Sequence, residues 1–189
     1  VRDCMKDDVI RGYMNQAIYK EIIPTLTLPE EELMSFAASV TDRFQNPFID
    51  HALLSISLNS TAKWKARVLP SLEGYLEKTG QVPPCLSASL AFYLAFYKGI
   101  GFVDATFTGD RNVKNQYPIS DDPKVLEFYD AHKDDSAADY VHAVLSETSF
   151  WGKDLTTLAG LEETVVKDFT FIQEKGCYEL MKQIVNAAE

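Results

Sequence analysis

The chain has 189 residues, 46% of them apolar and 12% aromatic, which is enough for one sizeable core and too apolar for intrinsic disorder. Its 18 Lys and Arg stand against 28 Asp and Glu, a net charge of −10. That balance argues against nucleic acid, because neutralising phosphates needs an extended basic surface. The most apolar run, Leu86 to Tyr97, is about 12 residues, short of the roughly 20 needed to cross a bilayer, so no membrane association is expected.

Cys4, Cys85 and Cys177 are odd in number and widely spaced, without a CxxC pair. They read as reduced thiols of a cytoplasmic protein, packed as small hydrophobes. There is no leader sequence to recognise, and the chain opens at Val1 in what already reads as a helical approach. A piece of a longer polypeptide is therefore expected.

In chain order, Val9, Tyr13, Ala17 and Ile18 recur at helical spacing and predict a first helix from about Asp3 to Ile23, stopped by Pro24. Thr27-Leu28-Pro29-Glu30 fits a capping box for a second helix, whose opening acids Glu30, Glu31 and Glu32 suit the positive end of its dipole. That helix runs through Leu33, Phe36, Ala37 and Val40 to a stop at Asn46-Pro47.

The next stretch, Arg43 to Pro70, is a cationic island: Arg43, Lys63, Lys65 and Arg67 against the single acid Asp50. Clustered like charges call for an anionic ligand. If the run after Asn59 is helical, a spacing of four puts Asn59, Lys63 and Arg67 on one stripe, an amide followed by two cations, and turns Lys65 away. The competing reading is an ordinary solvated face with buried stems. His51, beside Asp50, reads as a structural contact.

Pro70 should break that helix, with Ser71 capping a continuation that Gly80 ends. Pro83-Pro84 resets the direction, and Cys85 to Ile100 reads as a buried central helix. Residues 101 to 122 show no clear period and are expected to form a long loop, a lid or a surface covered by another domain. Helices follow at 123–132, 136–145, 155–161, 162–175 and from 177 on. The fold class expected is all-α, an irregular multi-helix domain spanning residues 1–189. Asp121-Asp122 and Asp134-Asp135 read as turn and cap residues in preference to a metal site.

The chain contains no GxGxxG turn, P-loop or HExxH. What it does contain is Arg43-Phe44-Gln45-Asn46-Pro47, then Asn59-Ser60-Thr61-Ala62-Lys63, then Pro70. In that order and spacing these resemble the C-terminal domain of the long-chain polyol and uronate dehydrogenases typified by mannitol dehydrogenase. The run from Leu53 to Leu72, the opening 26 residues and Phe150-Trp151-Gly152-Lys153-Asp154-Leu155 carry the likeness over most of the chain, nearest to the tagaturonate reductase branch.

The resemblance implies a helical substrate domain whose NAD is held mainly by a Rossmann domain of the same polypeptide, preceding it. It implies no catalytic residue within this stretch, and a monomer is expected. Lys63 matches the Lys of a DGSxK-like motif that contacts substrate oxygens, with Asn59 at its Asp position and Ser60 at its Gly position. Ser55 falls where mannitol-type members carry Arg, which favours a sugar acid over a polyol. A carboxylate gives Lys63 and Arg67 a chemical purpose. The expected substrate contacts are Lys63, Asn59 and Arg67, and the expected reaction interconverts tagaturonate and altronate. The alternatives are a fructuronate reductase, a mannitol-type dehydrogenase, or a non-enzymatic helical adaptor binding through residues 101–122.

Overall fold

The structure, a computed structural model, describes residues 1–46, 48, 51–110 and 116–187. It is predominantly helical, as expected, with one small sheet. Asp7 opens the first helix, α1 (Asp8–Gln16), its carboxylate accepting from the amides of Val9 and Ile10. The chain then loosens into a π-helical segment, Ala17–Ile22, and a 3₁₀ turn, Ile23–Thr25, before α2 (Glu30–Phe44). The expected capping box is not formed: the cap of α2 is Pro29, without a side-chain hydrogen bond. Helix geometry begins one residue after the proline, which puts Thr27 too far upstream to reach the first amides. Glu30, Glu31 and Glu32 do occupy the first turn.

A single short turn, α3 (Leu53–Ile56), leads to α4 (Ser60–Arg67) and α5 (Leu69–Thr79). The break falls at Val68, and α5 begins ahead of Ser71, which is buried inside its first turn and is not a cap. Pro70 accounts for this, since its fixed φ and missing N–H suit the first turn of a helix. Gly80, at φ 68°, closes α5 in the left-handed region as expected.

Helix α6 (Pro84–Tyr97) is buried on every side, from Cys85 and Leu86 through Leu90 and Tyr93 to Leu94 and Tyr97. Its amino end carries a cap from far away in sequence. Glu21, only 2% exposed, accepts from the amides of Cys85 and Leu86, each at 2.8 Å. Burial pushes the Glu21 carboxyl above its ordinary range.

The loop expected over 101–122 is interrupted by strands, with residues 111–115 outside the described residues. The strands build an antiparallel sheet in the order β1 (Gly99–Val103), β2 (Thr106–Asp110) and β3 (Gln116–Pro118). Gly99 explains the close pairing of β1 with β2: a Cβ there would stand 2.1 Å from the Thr108 carbonyl oxygen. The remainder is helical: α7 (Pro123–Ala131), α8 (Ala137–Ser146), α9 (Thr148–Trp151), α10 (Leu161–Lys175) and α11 (Cys177–Asn186). The helix expected over 155–161 is only a 3₁₀ turn, Leu155–Thr157. Helices α10 and α11 pack on α6, and α11 also covers α1. The α4 and α9 indoles, Trp64 and Trp151, meet edge to face at 5.4 Å and join the same core.

Candidate functional site

Helix α4 is two turns long, too short to hold itself by propensity. Its ends are held instead. Asn59 sits at φ 52° and ψ 47°, a left-handed conformation that Asn tolerates better than most residues, and its carbonyl accepts from the Lys63 amide. The Asn59 amide donates to the carbonyl of Ser120 at 3.1 Å. Trp64 anchors the opposite face in the core, its indole N–H donating to Ser89 Oγ at 3.1 Å.

This anchoring turns Lys63 and Arg67 toward one concavity of about 390 Å³. Its walls include Ser57 and Ser60 from the α4 approach and Ser89, Tyr93 and Phe96 from α6. The Lys63 ammonium donates to the carbonyl of Ile56 at 2.7 Å, which orients it and leaves two N–H bonds for a ligand. Arg67 is exposed, and its guanidinium has no hydrogen-bond or ion-pair partner among the described residues. Two cations and three hydroxyl-bearing serines beside apolar rings are suited to a small, hydroxylated anion.

Asn59 is not among the residues lining this cavity, because it precedes the first helical residue and departs from the helix's stripe. Lys65 faces away, as expected, into a separate concavity of about 350 Å³ with Thr61, Asp121, Lys124 and Ser149. Arg43 lines a third concavity of about 370 Å³ with Val1, Val40, Phe44 and His51, and Ile56 borders both it and the Lys63 cavity. The turn expected at Asn46-Pro47 shows in Asn46, whose Oδ1 accepts from the Phe48 amide. Pro47 and Asp50 lie outside the described residues, so the pairing of His51 with Asp50 does too. Ser55 is exposed on α3 and does not line the Lys63 cavity.

The sequence reading missed two features. Ser89, Tyr93 and Phe96 recur at spacings of four and three, the signature of one helix face, but in so apolar a helix that signal is swamped. The other is Asp121, whose carboxylate accepts from the amide and hydroxyl of Thr61 and from the hydroxyl of Tyr97. Asp122 caps α7 as expected, accepting from Lys124 N–H, and Asp135 pairs with His132 Nδ1 at 2.6 Å. Among the described residues no cluster of three or more His, Cys, Asp or Glu is arranged for a metal, and no helix is long and apolar enough to cross a membrane.

A family model of the mannitol dehydrogenase C-terminal domain matches residues 1–173. The chain belongs to that family. Within the mannitol dehydrogenase C-terminal domain family, curated relatives named altronate oxidoreductase, from Enterobacter sp. (strain 638), Klebsiella pneumoniae (strain 342) and Escherichia coli (strain K12), are each 40% identical to it. Each alignment covers 97% of this chain and 37% of the relative, so the chain spans little more than a third of those proteins. Among solved structures, Pseudomonas fluorescens mannitol 2-dehydrogenase, in a ternary complex with NAD and D-mannitol, superposes with a TM-score of 0.80. That likeness covers 96% of this chain and 34% of the other at 18% identity, so it bears on the fold alone.

Proposed function

We propose that the chain is the substrate-binding part of an NAD-dependent oxidoreductase that interconverts tagaturonate and altronate. The observation that carries this reading is the convergence of Lys63 and Arg67 on one hydroxyl-lined cavity in a protein of net charge −10. The names of its 40% identical relatives point the same way. Lys63 and Arg67 take the carboxylate, and Ser60 and Ser89 take hydroxyls. Asn59, an exposed residue immediately before Ser60, adds a hydroxyl contact.

The residues of this chain do not fit a dinucleotide. Its sheet is antiparallel, and among the described residues no strand leads through a glycine turn into a helix, the arrangement that cradles a pyrophosphate. In this reading NAD is held mainly by a separate Rossmann domain of the same polypeptide, with residues 1–189 as one helical domain of a cytoplasmic monomer. The contribution of these residues is orientation: they fix the acid end so that the keto carbon meets the hydride donor.

The test uses the full-length protein. Its kcat/KM for tagaturonate should exceed that for fructuronate and for fructose, which carries no carboxylate. Lys63→Ala and Arg67→Ala should each lower the tagaturonate value about tenfold to a hundredfold, the effect of losing one charge-assisted hydrogen bond. A preference for fructose, with both variants unchanged, would refute the reading.

A further inference from the structure

We propose that Asp121 is a positioning residue: from outside the cavity, between β3 and α7, it fixes the first turn of α4 and thereby the aim of Lys63 and Arg67. The inference deepens the functional reading above and rests on it.

Asp121 Oδ2 accepts from Thr61 N–H at 3.2 Å, from the Thr61 hydroxyl at 2.9 Å and from the Tyr97 hydroxyl, while Oδ1 accepts from Asp122 N–H at 2.8 Å. Counting protons gives the direction of the rest. A hydroxyl donates once, so a Thr61 that donates to the carboxylate must accept from Tyr93, 2.7 Å away. Tyr93 then accepts from Tyr129, also at 2.7 Å. The chain of donors runs Tyr129, Tyr93, Thr61, and ends on the one carboxylate. Burial holds both tyrosines well above their ordinary range, so they stay protonated donors.

Two parts of the cavity depend on this terminus. Lys63 and Arg67 lie two and six residues beyond Thr61 on a helix of eight residues, so a tilt of its first turn carries both cations with it. The Tyr93 ring is itself a cavity wall, held by the same chain. The neighbouring bond from Asn59 N–H to the Ser120 carbonyl ties the same two segments, two residues before Thr61 and one before Asp121. Asp121 also complements the positive end of the α4 dipole, which a neutral residue would not.

The experiment is steady-state kinetics of the full-length enzyme with Asp121→Asn, Thr61→Val, Lys63→Ala and, as a control, Tyr140→Phe. The control removes the Tyr140 bond to the Leu94 carbonyl, 3.1 Å, in the same core without touching α4. Asp121→Asn should raise KM for the sugar acid about tenfold, with kcat within about twofold and KM for the nicotinamide cofactor unchanged. Thr61→Val, which keeps the side-chain shape should Asp121→Asn not fold, should shift KM the same way. The Asp121→Asn/Thr61→Val double variant should raise KM by less than the product of the two single effects, because the Thr61 hydroxyl bond to the carboxylate is common to both. Tyr140→Phe should lower Tm and leave KM in place. If Lys63→Ala raises KM and Asp121→Asn and Thr61→Val do not, the positioning role is wrong and the functional reading survives. If Lys63→Ala leaves KM unchanged, the reading and the positioning role fail together. A KM rise in Tyr140→Phe equal to that in Asp121→Asn would reduce Asp121 to general stability and overturn the proposal.

Discussion

Asp168, on α10, has no hydrogen-bond or ion-pair partner among the described residues, and burial pushes its carboxyl from 3.8 up to about 6. The folded protein then keeps this proton to a higher pH than the unfolded chain does. Between about pH 4 and pH 6 the native state binds more protons, so stability falls as pH rises, and above about 6 the penalty is fully present. Solvent reaches part of the carboxylate and screens the cost, leaving about 1 kcal/mol. Asp168→Asn should therefore raise stability by about that amount at pH 8 and leave it unchanged near pH 3, read by denaturant unfolding at both pH values. Equal gains at both would mean that packing, not charge, is responsible. Glu21 is also held above its ordinary range by burial, but its two bonds to the start of α6 make it a different case. Removing it would orphan two buried amides.

At the scale of elements, α4 separates two roles that Asn59 could combine. Its φ of 52° costs an ordinary residue about 1 kcal/mol, and Gly nothing, while its carboxamide is the proposed contact. Asn59→Gly should keep the melting temperature near that of the parent and raise KM for the sugar acid; Asn59→Ala should lower both stability and affinity. A Gly variant with unchanged KM would confine Asn59 to the backbone role. The same helix shows what local pattern can and cannot convey. Its boundaries, the turning away of Lys65 and the break before Pro70 follow from spacing and proline chemistry, and so were legible. The three-stranded sheet was not: Gly99, Gly101, Gly109 and Pro118 interrupt strands of three to five residues and erase any period of two. Nor were the caps that Glu21 and Asp121 lend to helices about 60 residues away in sequence. No local window contains both partners of such a bond. Lys63 and Arg67 could be named from charge and spacing, whereas the serines and aromatic rings opposite them required the packing of α4 on α6.

Across the whole molecule, burial is uneven. Most of the core surrounds α6, but α2 is attached through a separate small cluster of Ile23, Leu33 and Ala37, with Ile18 and Tyr19 beside it. Phe36 on α2 is 65% exposed and Phe48 beyond it 93%, with Leu53, Leu54 and Ile56 also open to solvent. Few buried contacts predict low local stability. In residues 1–189 expressed alone, the α2 amides should exchange with deuterium about a hundredfold or more faster than those of α6; matched rates would show that α2 is as firmly held as the core. The relatives are nearly three times as long as the aligned chain, 37% of their length being covered.

In the proposed function Lys63 and Arg67 hold the carboxylate of a sugar acid. The most direct measurement is a crystal structure of the full-length protein with altronate and the oxidised nicotinamide cofactor. The account predicts carboxylate oxygens within about 3.2 Å of the Lys63 ammonium and the Arg67 guanidinium, in the cavity between α4 and α6. A carboxylate bound elsewhere, with both cations in water, would contradict it.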